Sequence, residues 1–194
     1  MKTLVYLHGF RSSSQSRKAR LLGEALRTIN SDWEYITPDL SFDPGTALTQ
    51  IEAIISRCPI MDLTLVGSSL GGFYAQVCAE KFGCRAVLLN PSLSPFETLA
   101  GYVGAQTPLS GEGEGFEFTT DHLEILRRHD VQQLSSLEKY LVVVEKRDEL
   151  LDHDITLRQF AGANAIAVEG GNHDLESFLD HIPALFRHAG LTVA

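Results

Sequence analysis

Leu63-Thr64-Leu65-Val66-Gly67-Ser68-Ser69-Leu70-Gly71-Gly72 carries an apolar, strand-like run straight into Gly-x-Ser-x-Gly, and a helical pattern follows at once. A chain that turns from strand to helix this sharply crowds the positions two before and two after the turn. Glycine at 67 and 71 removes the side chains that would collide there. The turn is expected to lift the Ser69 hydroxyl above a sheet and to aim the backbone N–H of Leu70 into the same space.

Outward from this turn the chain repeats a simple alternation. Six short apolar runs, at 3–8, 33–38, 63–67, 86–90, 140–144 and 164–168, are rich in Val, Leu, Ile or aromatic residues and too short for helices. Helix-length patterns lie between most of them. Residues 16–29 place Ala19, Leu22, Leu26 and Ile29 on one face, 46–57 do so with Leu48, Ile51, Ile54 and Ile55, and 70–82 with Phe73, Val77 and Phe82. Alternating strands and helices predict an α/β chain with a mostly parallel six-stranded sheet, flanked by helices and joined by right-handed crossovers. Functional groups then belong at the carboxyl ends of the strands. Residues 92–139 break the alternation with Pro95, a stretch holding Gly101, Gly104, Gly111, Gly113 and Gly115, and a helix-like 121–128. A connection this long predicts a lid or pocket-forming insertion over the turn at Ser69, with a plain surface excursion as the alternative.

The chain's 194 residues suit one domain, 1–194, and its hydrophobic content of 44% is that of an ordinary globule. No stretch approaches the ~18–20 apolar residues of a membrane span, and Met1-Lys2-Thr3 leads into a strand without the apolar core of a signal peptide, so a cytoplasmic location is expected. The formal net charge of −9 argues against nucleic-acid partners. Arg17-Lys18-Ala19-Arg20 is the densest basic cluster; it reads either as a solvated helix face or as a modest attraction for an anionic substrate. Cys58, Cys78 and Cys84 are odd in number, lack metal-ligand spacing and read as buried free thiols.

A serine hydroxyl becomes a nucleophile only when a base takes its proton. Of the seven histidines, His173 fits best, because Glu169-Gly170-Gly171-Asn172-His173 follows the last apolar run and its glycines allow a loop back over the sheet. His122, His129, His153, His181 and His188 read as surface or packing residues. An acid must orient His173. Asp148, in the loop after 140–144, gives the chain order Ser69, Asp148, His173; Asp152, four residues on, competes, while Asp174 is too close to reach its neighbour easily. Two convergent N–H donors for a developing oxyanion are expected from Leu70 and from Phe10, in Leu7-His8-Gly9-Phe10 after the first strand. His8 reads as an anchor of that loop, and Ser12, Ser13 and Ser14 as residues lining or capping the turn that follows.

At these residues the chain resembles the YqiA-like esterases, small bacterial members of the α/β-hydrolase superfamily. The similarity runs through nearly the whole chain. It includes Tyr6-Leu7-His8-Gly9-Phe10 with its serine-rich turn, Lys18-Ala19, Gly67 to Gly72, Asn90-Pro91 with Pro95-Phe96-Glu97, Asp148-Glu149-Leu150-Leu151-Asp152, and Glu169 to His173. Where the family often carries glycine before the first aspartate of the acid loop, this chain has Arg147. The resemblance implies a single α/β-hydrolase domain that hydrolyses carboxylic esters through Ser69, His173 and Asp148, with small-molecule ester or thioester substrates and without metal or organic cofactor. An acyl-CoA thioesterase with the same triad, or a ligand-binding homologue without catalysis, is the competing expectation. Nucleotide binding is disfavoured, since Gly67-Ser68-Ser69-Leu70-Gly71-Gly72 is not Gly-x-Gly-x-x-Gly and no Gly-Lys-Ser/Thr follows a strand.

Overall fold

Six strands pair in parallel into one twisted sheet in the order β2-β1-β3-β4-β7-β8, in a computed structural model that describes residues 1–29, 32–111 and 113–191. The strands are β1 (Thr3–Leu7), β2 (Glu34–Ile36), β3 (Leu63–Ser68), β4 (Arg85–Leu89), β7 (Tyr140–Glu145) and β8 (Asn164–Val168). Helices α1 (Arg17–Ile29) and α7 (Phe178–Ala189) cover one face; α2 (Pro44–Ile55) and α3 (Leu70–Phe82) cover the other. Because both faces are covered, β3 and β7 are buried along their whole length. That is why they read as unbroken apolar runs rather than as an alternation.

Two cores result. Val5, Leu65, Leu88 and Val142 pack with Ile51 and Phe73 on the α2–α3 face, and Leu4, Val66, Val87 and Val143 pack with Leu22, Phe178 and Phe186 on the α1–α7 face. From β1 the chain crosses to β2 on one side and then returns to lay β3 on the other. This reversal opens a crevice above the carboxyl ends of β1 and β3, the usual ligand position in such sheets.

The structure trims several expected elements. Only Glu34–Ile36 of the run 33–38 pairs in the sheet; it is an edge strand, and Pro38 has no N–H to extend the ladder. β4 ends at Leu89, where Asn90 turns with φ 39°. α2 begins two residues earlier than expected, with Asp43 accepting the Thr46 N–H at 2.6 Å and Pro44 in the first turn. Ile29, on the same face of α1 as the buried Ala19, Leu22 and Leu26, is 43% exposed, and Cys58 is half-buried rather than buried.

Residues 92–139 hold more structure than a bare loop. α4 (Pro95–Thr98) is followed by an antiparallel hairpin, β5 (Gly104–Gln106) with β6 (Phe116–Phe118), and then by α5 (Thr120–Arg128). Aromatic contacts seat the hairpin on the body: Phe10 meets Tyr102, Phe116 and Phe118 edge-on, and Phe42 stacks on Phe116. Asp43 also receives the Nε2 side of His122 at 3.2 Å, tying α5 to the start of α2. Among the described residues no helix is long and apolar enough to cross a membrane.

Candidate active site

Ser69 sits between β3 and α3 with φ 54° and ψ −119°, a backbone region that is essentially glycine's. Close packing holds it there. A Cβ on Gly67 would lie 2.0 Å from the Gly71 carbonyl oxygen, and one on Gly71 would lie 2.0 Å from that of Leu7. Only hydrogen side chains at 67 and 71 let β3, the turn and β1 come this close. Ser69 N–H donates to Leu89 O at 3.1 Å, and Gly72 N–H to Ser69 O at 2.9 Å, so the turn is bonded to both neighbours.

The expected partners meet there. His173 Nε2 lies 3.0 Å from Ser69 Oγ, and His173 Nδ1 lies 2.8 Å from Asp148 Oδ2. With its proton on Nδ1 and donated to Asp148, the imidazole leaves Nε2 bare to accept the serine hydroxyl proton. The Asp148 side chain is only 2% exposed, and its second oxygen accepts the N–H groups of Leu150 and Leu151 at 2.8 and 2.9 Å. Asp152 is occupied elsewhere, accepting Asp154 N–H at 2.8 Å as the N-cap of α6 (His153–Gln159). Arg147 has no left-handed backbone, so a side chain at this place in the loop carries no conformational penalty.

The loop after β1 presses against the serine. A Cβ on Gly9 would approach Ser69 Cβ to 3.3 Å, which places the backbone leading into Phe10 beside the hydroxyl. Leu70 opens α3, so its N–H belongs to the first turn, where helix donors have no partner within the helix. His8 anchors this loop: Nδ1–H donates to Gly9 O at 3.0 Å, and Nε2 accepts Leu40 N–H at 3.0 Å. Burial pushes its pKa below the usual histidine value, against opposing contributions from the Gly9 hydrogen bond and Asp39. Ser12 and Ser13 line the cleft, whereas Ser14 donates its N–H to Asp39 at 2.8 Å.

Two residues that pattern reading left without a role hold the histidine loop. Glu145, at the end of β7, is 0% exposed, and its carboxylate accepts N–H groups from Asn172 (2.6 Å), Glu176 (3.1 Å) and Ser177 (2.8 Å) and the Ser177 hydroxyl (2.6 Å). Burial alone would raise its pKa, but these bonds outweigh burial and hold it below the usual glutamate value. Asn90 accepts Glu145 N–H at 2.9 Å and donates its side-chain amide to the carbonyls of Asn172 and His173 at 3.0 and 3.2 Å. The available signal was a charged residue closing an otherwise apolar strand, Tyr140-Leu141-Val142-Val143-Val144-Glu145.

Two cavities border Ser69 and His173: a broad cleft of about 780 Å³ with both basic and apolar walls, and a more apolar pocket of about 180 Å³. Among the described residues no cluster of three or more His, Cys, Asp or Glu could hold a metal ion.

Comparison with known proteins agrees with this architecture. Alpha/beta hydrolase domain-containing protein 10 from mouse superposes with a TM-score of 0.73 at 14% identity, covering 95% of this chain and 88% of that one. Est1E from Butyrivibrio proteoclasticus, solved with ferulic acid bound, gives 0.70 at 14% identity, over 97% and 86%. The fold is therefore that of the α/β-hydrolases. A UPF0227 protein of Vibrio parahaemolyticus is 23% identical over 188 residues, 94% of this chain and 96% of the relative. Residues 3–189 match the family described as "Uncharacterised protein family (UPF0227)", the YqiA-like family suggested by the motifs, and the chain belongs to it.

Proposed function

We propose that the protein is a serine hydrolase of carboxylic esters, working through a covalent acyl-enzyme. The observation that carries this reading is the continuous hydrogen-bonded line Ser69 Oγ, His173, Asp148, with the serine held on a strained turn.

In this reading Ser69 Oγ attacks the ester carbonyl while His173 Nε2 takes its proton. The oxyanion is received by the N–H groups of Leu70 and Phe10; losing one such donor typically costs about 3 kcal/mol of transition-state stabilisation. His173 then gives its proton to the departing alcohol, leaving the acyl group on Ser69. Water enters and attacks the acyl carbon as His173 takes its proton; the adduct then releases the acid, and His173 returns that proton to the departing Ser69 oxygen. Asp148 remains a carboxylate throughout, holding the tautomer and balancing the imidazolium. Residues 92–139 act as the substrate-pocket insertion, since Tyr102, Pro108, Leu109 and Ser110 supply walls beside Ser69.

The test is hydrolysis of 4-nitrophenyl butyrate together with labelling by a fluorophosphonate probe. Wild type should turn over the ester and carry the label on Ser69; Ser69→Ala should lose both. His173→Ala should lose nearly as much as Ser69→Ala, and the double variant little more, because the two act as one unit. Turnover surviving in Ser69→Ala rejects the reading. Parallel assays on butyryl-CoA measure whether a thioester is preferred.

A further inference from the structure

Two cavities of different size and lining meet at Ser69 and His173. The larger, about 780 Å³, has mixed walls, with Tyr6, Phe10, Pro108 and Leu109 alongside a polar and basic side built from Arg11, Ser12, Ser13, Ser16, Arg17 and Lys18. The smaller, about 180 Å³, is lined by Leu70, Leu99, Tyr102, Leu109, Leu150 and Leu151. Phe10, Arg11 and Leu109 border both. They form a divider stitched across the site: Leu109 N–H donates to Arg11 O at 2.8 Å, and Arg11 Nε donates to Thr107 O at 2.6 Å.

Resting on the esterase reading above, we infer that this strap sorts the two halves of the substrate, with a short hydrocarbon acyl chain in the Leu99–Leu150 pocket and an oxygen-rich, negatively charged leaving group in the cleft beside Arg11, Arg17 and Lys18. The substrate class is short-chain acyl esters of anionic alcohols.

Three features carry the assignment. An acyl chain stays on the serine through the second half of the reaction whereas the alcohol must leave, and the pocket of about 180 Å³ fits a short chain while the cleft of about 780 Å³ has room for a larger group to depart. A neutral apolar alcohol in the cleft would strip water from Arg17 and from Lys18, whose Nζ keeps the Asp174 carbonyl, and offer neither a new charge, a costly arrangement that an anion avoids. Finally, three cations gather at this cleft in a chain whose net charge is −9. The two carboxylates on the same wall are Asp174 and Glu176. Glu176 is bonded by the Asn172 side-chain amide at 2.6 Å, and the carbonyl of Asp174 takes Lys18 Nζ at 2.9 Å. The basic cluster Arg17-Lys18-Ala19-Arg20 thereby acquires a use beyond a solvated helix face.

The acyl pocket also has a length. Leu109 and Leu150 are 68% and 56% exposed, so the mouth of the pocket opens to water, and a chain that reaches them gains little from further methylenes.

The experiment pairs two esters with one acyl group, 4-nitrophenyl butyrate and 5-butyryloxy-2-nitrobenzoate, whose leaving group carries a carboxylate. At low salt kcat/KM should favour the anionic ester threefold or more. The ratio should fall toward one in 1 M NaCl, where screening acts within about 3 Å, and in Arg17→Gln/Lys18→Gln. A series of 4-nitrophenyl esters from acetate upward should gain about fourfold in kcat/KM per buried methylene and then level off. Leu99→Trp should move the plateau to shorter chains and Leu99→Ala to longer ones, so that one informative variant remains if the other fails to fold. A ratio of one at low salt, or a chain-length profile unmoved by both Leu99 variants, overturns the inference. Fluorophosphonate labelling of the same preparations separates the two failures: a labelled protein with flat preferences sinks only the sorting, whereas an inactive, unlabelled wild type sinks the esterase reading itself.

Discussion

A Cβ placed on Gly171 would lie 2.0 Å from a carboxylate oxygen of Glu145, a side chain with no exposed surface and four hydrogen bonds to the loop that carries His173. Gly171 also has φ 72°, so a side chain there is strained twice over. The collision is costly because Glu145 cannot swing aside without abandoning the N–H groups of Asn172, Glu176 and Ser177. Gly171→Ala is expected to cut ester kcat at least a hundredfold with a smaller change in KM, since the displaced loop carries His173 and, through Asp174 and Glu176, only one wall of the cleft. Glu145→Gln, whose amide oxygen replaces a carboxylate and whose NH2 faces donors, should do the same more mildly and slow fluorophosphonate labelling of Ser69. Steady-state kinetics on both variants check this; a loss appearing in KM alone contradicts it.

The strain at Ser69 predicts a trade between stability and activity. At φ 54° and ψ −119°, glycine is the residue the backbone prefers, and such positions cost on the order of 1–3 kcal/mol for other residues. Ser69→Gly should raise the thermal midpoint while abolishing turnover, and Ser69→Ala should abolish turnover without that gain. Calorimetry on the two variants makes the comparison; equal midpoints would mean that the turn is not strained.

The neighbouring aspartates should separate cleanly into an activity effect and a stability effect. Asp148 faces His173 at 2.8 Å, so Asp148→Asn should lower kcat by roughly 10⁴, the scale seen when the orienting acid of such a triad is neutralised. Asp152 caps α6, and Asp152→Ala should cost about 1 kcal/mol of stability with kcat nearly unchanged. Kinetics and urea titration of the pair test the division, and an interchange of the two effects would reject it.

Acid should unfold this protein through several groups pulling the same way. His8 has its folded pKa below its ordinary 6.5, so its contribution is fully present above 6.5 and lost as pH falls below that value. His188 follows the same sign, its pKa lowered chiefly by burial. Glu145 and Asp39 are held below their usual carboxylate values, so their contributions disappear at still lower pH, as the folded carboxylates protonate. The urea midpoint should fall from pH 8 to pH 5 and more steeply below pH 4. His8→Gln should be less stable than wild type at pH 8 yet show a shallower fall between pH 7 and pH 5. A midpoint that rises on acidification contradicts this sign.

Much of the site was legible from contiguous residues, because its parts are short-range problems. Gly67 and Gly71 flank a turn whose crowding is local, and α3 occupies the expected Leu70–Phe82. The six parallel strands needed little more than the apolar runs and the handedness of crossovers, whereas their order in the sheet, β2-β1-β3-β4-β7-β8, came only with the tertiary structure. By contrast, Glu145 and Asn90 lie 55 residues apart in the chain, and Glu145 and Ser177 lie 32 apart. Their pairing exists only because β4 and β7 are neighbours and the loop after β8 folds back over them. The hairpin β5–β6 escaped notice because its strands have three residues each and its seat is an aromatic cluster assembled from Phe10, Phe42, Phe116 and Phe118. Backbone crowding at Ser69 is written in adjacent letters, so a linear reading finds it; a buried carboxylate's donors are chosen by strand order and loop path, so they come into view once the chain has folded.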